Sequence, residues 1–376
     1  MTFPVVSVDG FRLASQTRRL PNLFRCGAGV TVSIGVLIAV LLGAGDALGA
    51  PSGARKPPAP AESAFQEALK AESRGEIEEA VALYERLLRE EPENGRALIN
   101  LGILKIRQGH KSAGKALCER AENLTPDAAK VRYCLGLAAV RSGDIERAAK
   151  EFEASIRLLP TAPAPIVELA HIRRKQERYR EAVQLYRDAV QNQADDPDLH
   201  VHLGYCYKSL KDYAAAAVEY RKAVQKDPTS YFGHLNLGWI LVKLKSDAEA
   251  EPVYLRAVEL KPEAAEPHYN LGNLYKRQGE LNKAAEHYRK SVELDPNAVD
   301  HRLSLAGVAW QLGNVSEAKA QLARALELRP SPGQKKAIDR LERLLDAPPR
   351  KASVTSEASK ASKASKSSKA SKSAND

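Results

Sequence analysis

Residues 269–279 read YNLGNLYKRQG, and the chain writes nearly the same phrase at 235–245 (LNLGWILVKLK) and at 201–211 (VHLGYCYKSLK). The interval is 34 residues each time. Prolines carry the period outward from there. Pro92, Pro126, Pro160, Pro228, Pro262, Pro296 and Pro330 stand 34 residues apart, except for one 68-residue interval covering a unit with Ala194 in that place and Pro197 three residues on. Eight units therefore begin at 61, 95, 129, 163, 197, 231, 265 and 299, with no insertion between them.

Each unit carries two apolar stripes. Positions 4, 7, 8 and 11 have helical spacing and form one face of a first helix; in unit seven they are His268, Leu271, Gly272 and Tyr275. Small residues at position 20 (Ala80, Ala148, Ala182, Ala216, Ala250, Ala284, Ala318) and aromatic or apolar ones at position 24 (Tyr84, Phe152, Tyr186, Tyr220, Tyr254, Tyr288, Leu322) place the matching face on a second helix. Glycine at position 8 permits close helix approach, Gly279 at position 15 makes the turn, and proline ends the second helix. One helical hairpin cannot bury its apolar faces alone, so the units must stack.

The pattern resembles the tetratricopeptide repeat, a 34-residue helix-turn-helix family, over residues 61–332, about 72% of the chain. That resemblance implies an all-α fold, a right-handed α-solenoid of eight repeats (61–94, 95–128, 129–162, 163–196, 197–230, 231–264, 265–298, 299–332). It also implies a protein-interaction scaffold and not an enzyme. Three departures stand out. Glu67 replaces an apolar residue, which suits an exposed first unit; Gly114 replaces alanine in unit two; and Pro252 falls within the second helix of unit six, where it should delay the start or kink the helix.

Residues 333–347 place Ile338, Leu341, Leu344 and Leu345 on one face, as a capping helix over the last apolar surface of a stack requires. Beyond them, 348–376 is a Ser/Lys/Ala-rich stretch without core residues, read as a disordered basic tail. The chain's formal charge of +10 belongs to its ends, since residues 1–60 hold six Lys/Arg against two Asp/Glu and residues 347–376 hold seven against two. The repeats themselves are nearly neutral, which removes the simplest argument for nucleic-acid binding. The tail offers a partner of its own, an anionic surface or polymer.

Residues 1–50 read as a signal peptide or an N-terminal membrane anchor. Arg12, Arg18, Arg19 and Arg25 precede an uncharged apolar run at 27–45, and small residues follow up to Ala50. The run is long enough to span a bilayer if uncleaved, which would make the membrane a partner through residues 27–45. Either reading places the repeats outside the cytoplasm, secreted across or anchored in the cytoplasmic membrane, and in the periplasm of a bacterium. Residues 51–60 (PSGARKPPAP) form a Pro-rich linker.

Catalytic motifs are missing from the sequence: it has no HExxH, GxSxG, Walker loop or CxxC, so no catalytic residue, cofactor or metal is expected. His200, His234 and His268 recur every 34 residues, but all occupy position 4. Stacking separates them by roughly 20 Å at ordinary helix-packing distances, too far to share one metal. Cys118 and Cys206 take core-type positions, and a Cys118–Cys134 disulfide between neighbouring units is open in an oxidising compartment.

The informative face is the other side of the first helix, positions 2, 5, 6, 9, 12 and 13. In the resembling family this face lines an inner groove, which implies a peptide-binding groove here formed by His202, Tyr205, Asn236, Trp239, Tyr269, Asn270, Asn273, Lys276, Arg277 and Trp310. Asn100, Asn236 and Asn270 share position 6, and a side-chain amide offers both the donor and the acceptor that an extended peptide requires. Basic and aromatic neighbours favour a protein or peptide partner with an acidic segment.

Overall fold

The computed structural model of the protein describes residues 60–192 and 196–346. The signal or anchor segment, the Pro-rich linker up to residue 59, Ala194 and the basic tail lie outside these described residues. Within them the regular structure is seventeen α-helices and no strand. No described helix is long and apolar enough to cross a membrane.

The helices alternate as first and second members of hairpins: α1 (Pro60–Ser73) and α2 (Ile77–Glu90), α3 (Gly95–Arg107) and α4 (Lys111–Ala121), α5 (Ala128–Ser142) and α6 (Ile145–Leu158), α7 (Pro163–Lys175) and α8 (Tyr179–Gln191). The series continues with α9 (Pro197–Ser209) and α10 (Tyr213–Lys226), α11 (Tyr231–Lys243) and α12 (Asp247–Leu260), α13 (Ala265–Gln278) and α14 (Leu281–Leu294), α15 (Val299–Gln311) and α16 (Val315–Glu327), and ends on α17 (Pro332–Asp346). Each helix packs chiefly on those just before and after it, so the core is assembled junction by junction, as in an α-solenoid.

Local chemistry sets the helix ends. Asn94, Asp127, Asp144, Asp212 and Ser230 cap helices by accepting from backbone N–H groups that have no intrahelical partner. Position 15 adopts a positive φ in all eight units. Glycine supplies it in five, at Gly75, Gly109, Gly143, Gly279 and Gly313, while Glu177, Lys211 and Lys245 adopt φ of 59°, 64° and 62°. The turn is therefore imposed by packing of the two helices even where the residue opposes it.

The position-20 alanines are completely buried, and the position-24 side chains are no more than 2% exposed. Their rings lie against the position-8 glycines: a Cβ added to Gly204 would sit 2.7 Å from the Tyr220 ring, and one added to Gly272 2.6 Å from that of Tyr288. Gly114 is explained by the same closeness, since a Cβ there would meet Ile106 at 2.5 Å and the Gly102 carbonyl oxygen at 2.7 Å. Glu67 is exposed on α1. Pro252 does not delay α12, which begins at Asp247, unit position 17, as the other second helices do. The proline is exposed in the second turn. At the far end α17 inserts Ile338, wholly buried, among Val299, Ala306, Leu322 and Ala325, with Leu341 and Leu345 packed alongside. Cys118 and Cys134 are bonded to each other across the junction of units two and three.

Candidate functional site

The second helix of each hairpin covers one side of the first, leaving positions 2, 5, 6, 9, 12 and 13 to face neighbouring units or solvent. Packing between units takes up several of the residues that the sequence places there. His202 is buried, stacks on Tyr186 with ring centroids 5.6 Å apart, and meets His171 edge-on at 4.9 Å. Tyr269 is buried against His301 at 4.4 Å and Tyr288 at 5.8 Å.

The amides are also largely engaged. Asn100 donates to the Tyr84 hydroxyl at 2.9 Å. Asn236 is buried; its Oδ1 accepts from Lys208 Nζ and its Nδ2 donates to the Phe232 carbonyl, both at 2.9 Å. Asn273 Oδ1 accepts from the Tyr288 hydroxyl at 2.8 Å, while Asn270 is half-buried. The recurrence of asparagine at position 6 thus answers a local demand, because polar groups between helices must be hydrogen-bonded when buried.

A smaller set remains open to a partner. Tyr205 and Trp239 are half-buried, and Lys208 bridges them with its Nζ 5.1 Å and 5.5 Å from the two ring centroids. Arg174 extends the row on one side, 5.5 Å from Tyr205, and Lys243 on the other, 4.8 Å from Trp239. Tyr179 and Tyr213 buttress the rings edge-on at 6.3 Å and 5.9 Å. Cations over aromatic faces hold each other in place by ring-quadrupole attraction. Among the described residues no carboxylate lies against Lys208, and burial pulls its pKa down to about 8. A desolvated cation without a carboxylate favours an incoming anion.

Lys276 and Arg277 are exposed on α13; Arg277 donates to the Val242 carbonyl at 3.1 Å and pairs with Asp247. Trp310 is half-buried on α15, two units beyond Trp239. Of the ten residues read from sequence, the structure brings Tyr205 and Trp239 into one surface through Lys208, turns His202, Asn236 and Tyr269 inward, and leaves Trp310 apart. Sequence reasoning missed Lys208, Arg174, Tyr179 and Tyr213. The signal was present in their register, since Arg174 and Lys208 share position 12 with Lys276, and the two tyrosines share position 17.

The recurring histidines each find a local partner: His200 Nδ1 lies 2.6 Å from Glu219, His234 Nδ1 2.9 Å from the Ser230 carbonyl, and His268 Nδ1 3.1 Å from His287 Nδ1. Among the described residues no group of three or more metal-ligating side chains could hold an ion.

Family sequence models described as tetratricopeptide repeat match residues 71–135, 167–231, 265–298 and 302–332, and one described as TPR repeat matches 240–279. No curated protein matches the chain by sequence. Among solved structures, the C-terminal part of a TPR repeat-containing protein from Cytophaga hutchinsonii is 16% identical with a TM-score of 0.50, the match covering 64% of this chain and 99% of that one. YrrB, described as a TPR protein with an unusual peptide-binding site, is 21% identical with a TM-score of 0.44, covering 51% and 99%. Pseudomonas aeruginosa pilF is 18% identical with a TM-score of 0.48, covering 55% and 95%. With its hairpins in one 34-residue register and family matches distributed from residue 71 to residue 332, the chain belongs to the tetratricopeptide repeat family of protein-interaction scaffolds.

Proposed function

We propose that the protein holds a segment of a partner protein against the exposed face of its first helices, with the Tyr205–Lys208–Trp239 row as the anchor. The observation that carries this reading is the row itself: two half-buried rings held by cations, with no carboxylate against the central lysine among the described residues. Aromatic anchors and desolvated cations are the groups that dominate binding at protein interfaces. Arg174, Lys243 and Lys276 give the same face a positive character that suits an acidic segment.

Trp239→Ala is expected to leave helical content intact and to weaken a partner recovered by pull-down by about 1–3 kcal/mol, the scale of an interface aromatic. Lys276→Glu adds a loss that shrinks in high salt, because exposed charges are screened. Asn236→Ala behaves differently and lowers stability as well, since its amide joins α9 to α11 through Lys208. Titration of wild type and variants decides the matter. Unchanged affinity for both Trp239→Ala and Lys276→Glu sinks the proposal; if affinity is then lost on removing residues 348–376, the basic tail is the binding element for an anionic surface.

The Arg-flanked apolar run at 27–45 supports a location of the repeats outside the cytoplasm. Protease applied to intact spheroplasts then digests residues 61–346, and protection of the repeats rejects that location.

A further inference from the structure

Position 24 of one unit faces position 6 of the next. In this way the Tyr84 hydroxyl accepts from Asn100, and Tyr186 stacks on His202. Between units two and three the same two positions are Cys118 and Cys134, both wholly buried, with Cα atoms 5.9 Å apart and the sulfurs bonded. That separation is in the usual range for a disulfide.

One further departure from the repeat, Gly114, lies beside Gly102, the position-8 glycine next to the sulfurs. Gly114 stands where every other unit has alanine at position 20. A Cβ on Gly102 would lie 2.8 Å from Cys118 Sγ and 3.2 Å from Cys134 Sγ. With no ring between them, α3 and α5 pack against each other more extensively than any other pair of successive first helices. The cysteines at positions 24 and 6, with Gly114 at position 20, thus set this junction apart from the others.

We propose that the Cys118–Cys134 bond takes the place of the aromatic ring at this junction, so that docking of units one and two on the rest of the stack depends on the redox state of the compartment. Oxidation joins the two sulfurs and passes their two protons and two electrons to the disulfide of a dithiol–disulfide oxidoreductase, which leaves as the dithiol. Because neither sulfur is exposed, exchange requires the junction to open; the bond forms as the units assemble and persists once they have packed. In a reducing compartment two thiols occupy the space, and the junction keeps its apolar contacts, Ile99 and Ile103 with Val131 and Leu135 among them, without the covalent link.

The test compares the full chain equilibrated with glutathione disulfide and the same chain reduced. In the oxidised sample a non-reducing digest is expected to give a linked peptide pair containing Cys118 and Cys134. On reduction, hydrogen-exchange protection of α1–α4 falls on the order of 100-fold, the scale set by opening a loop with a 16-residue separation, while α9–α16 are unchanged. The double variant Cys118→Ala/Cys134→Ala shows the low protection of α1–α4 in both conditions. Cys206→Ala keeps the full response, because Cys206 is a buried thiol whose pKa burial pushes up to about 12. Separately alkylated Cys118 and Cys134 peptides after oxidation, or equal protection of α1–α4 in the oxidised and reduced wild type, overturns the proposal.

Discussion

Tyr220→Ala is expected to destabilise the protein by about 3–5 kcal/mol, the usual cost of removing a buried aromatic ring. Tyr220 is wholly buried between α9 and α11, and its ring fills the space that Gly204 leaves open. The hydroxyl contributes nothing to this, because it is buried without a hydrogen-bond partner among the described residues. Tyr220→Phe is therefore expected to be neutral or to stabilise by about 1 kcal/mol, the desolvation cost of an unsatisfied group. Tyr288→Phe should go the other way by a similar amount, since its hydroxyl donates to Asn273 at 2.8 Å.

The glycine and the ring should also be coupled. Alone, Gly204→Ala costs about 1–3 kcal/mol, because the methyl would meet the ring. In the Tyr220→Ala background the same change should stabilise by about 1 kcal/mol, as alanine favours the helix and fills part of the cavity. Urea unfolding followed by circular dichroism measures all four states. Additive effects of Gly204→Ala and Tyr220→Ala would show that the pair does not determine the spacing of the helices.

Acid is expected to loosen the stack where α7 meets α9. Burial lowers the pKa of His171 to about 4 and that of His202 to about 3, with the positive charge of Arg174 acting in the same direction on both, Lys175 adding to it at His171, and each imidazole standing beside the other. An unfolded histidine titrates near 6.5, so the unfolded chain takes up protons below that pH while the folded sites stay neutral. The stability these sites provide is complete above about pH 6.5 and is lost as pH falls toward about 4 for His171 and about 3 for His202. The slope is about 1.4 kcal/mol per pH unit for each histidine, or about 5 kcal/mol for the pair by pH 4.5. Hydrogen exchange across α7–α10 reports it, and His171→Gln or His202→Gln should each flatten the dependence by about half. Parallel loss of protection in wild type and both variants between pH 6.5 and 4.5 would mean that other groups carry the acid response.

The repeat period, the two helices of each unit, the contact of position 8 with positions 20 and 24, and the amphipathic end helix with Ile338 were all legible in the sequence. A 34-residue register repeats the same short-range packing, and helical spacing alone assigns each stripe to a face. The register also showed which residues share the first-helix face. It did not show which of them stay available to a partner, because that depends on what the neighbouring unit brings against each one. Asn236 and Asn270 occupy the same unit position, yet Asn236 is closed by Lys208 and Phe232 while Asn270 is only half-buried. Tyr205 and Trp239 form one surface because Lys208 reaches both rings, a contact made between successive units and not within one phrase of the sequence. The pairing of Cys118 with Cys134 was decided in the same way. Their spacing of 16 residues spells no motif, and only the stacking of position 24 on the next unit's position 6 brings the sulfurs together.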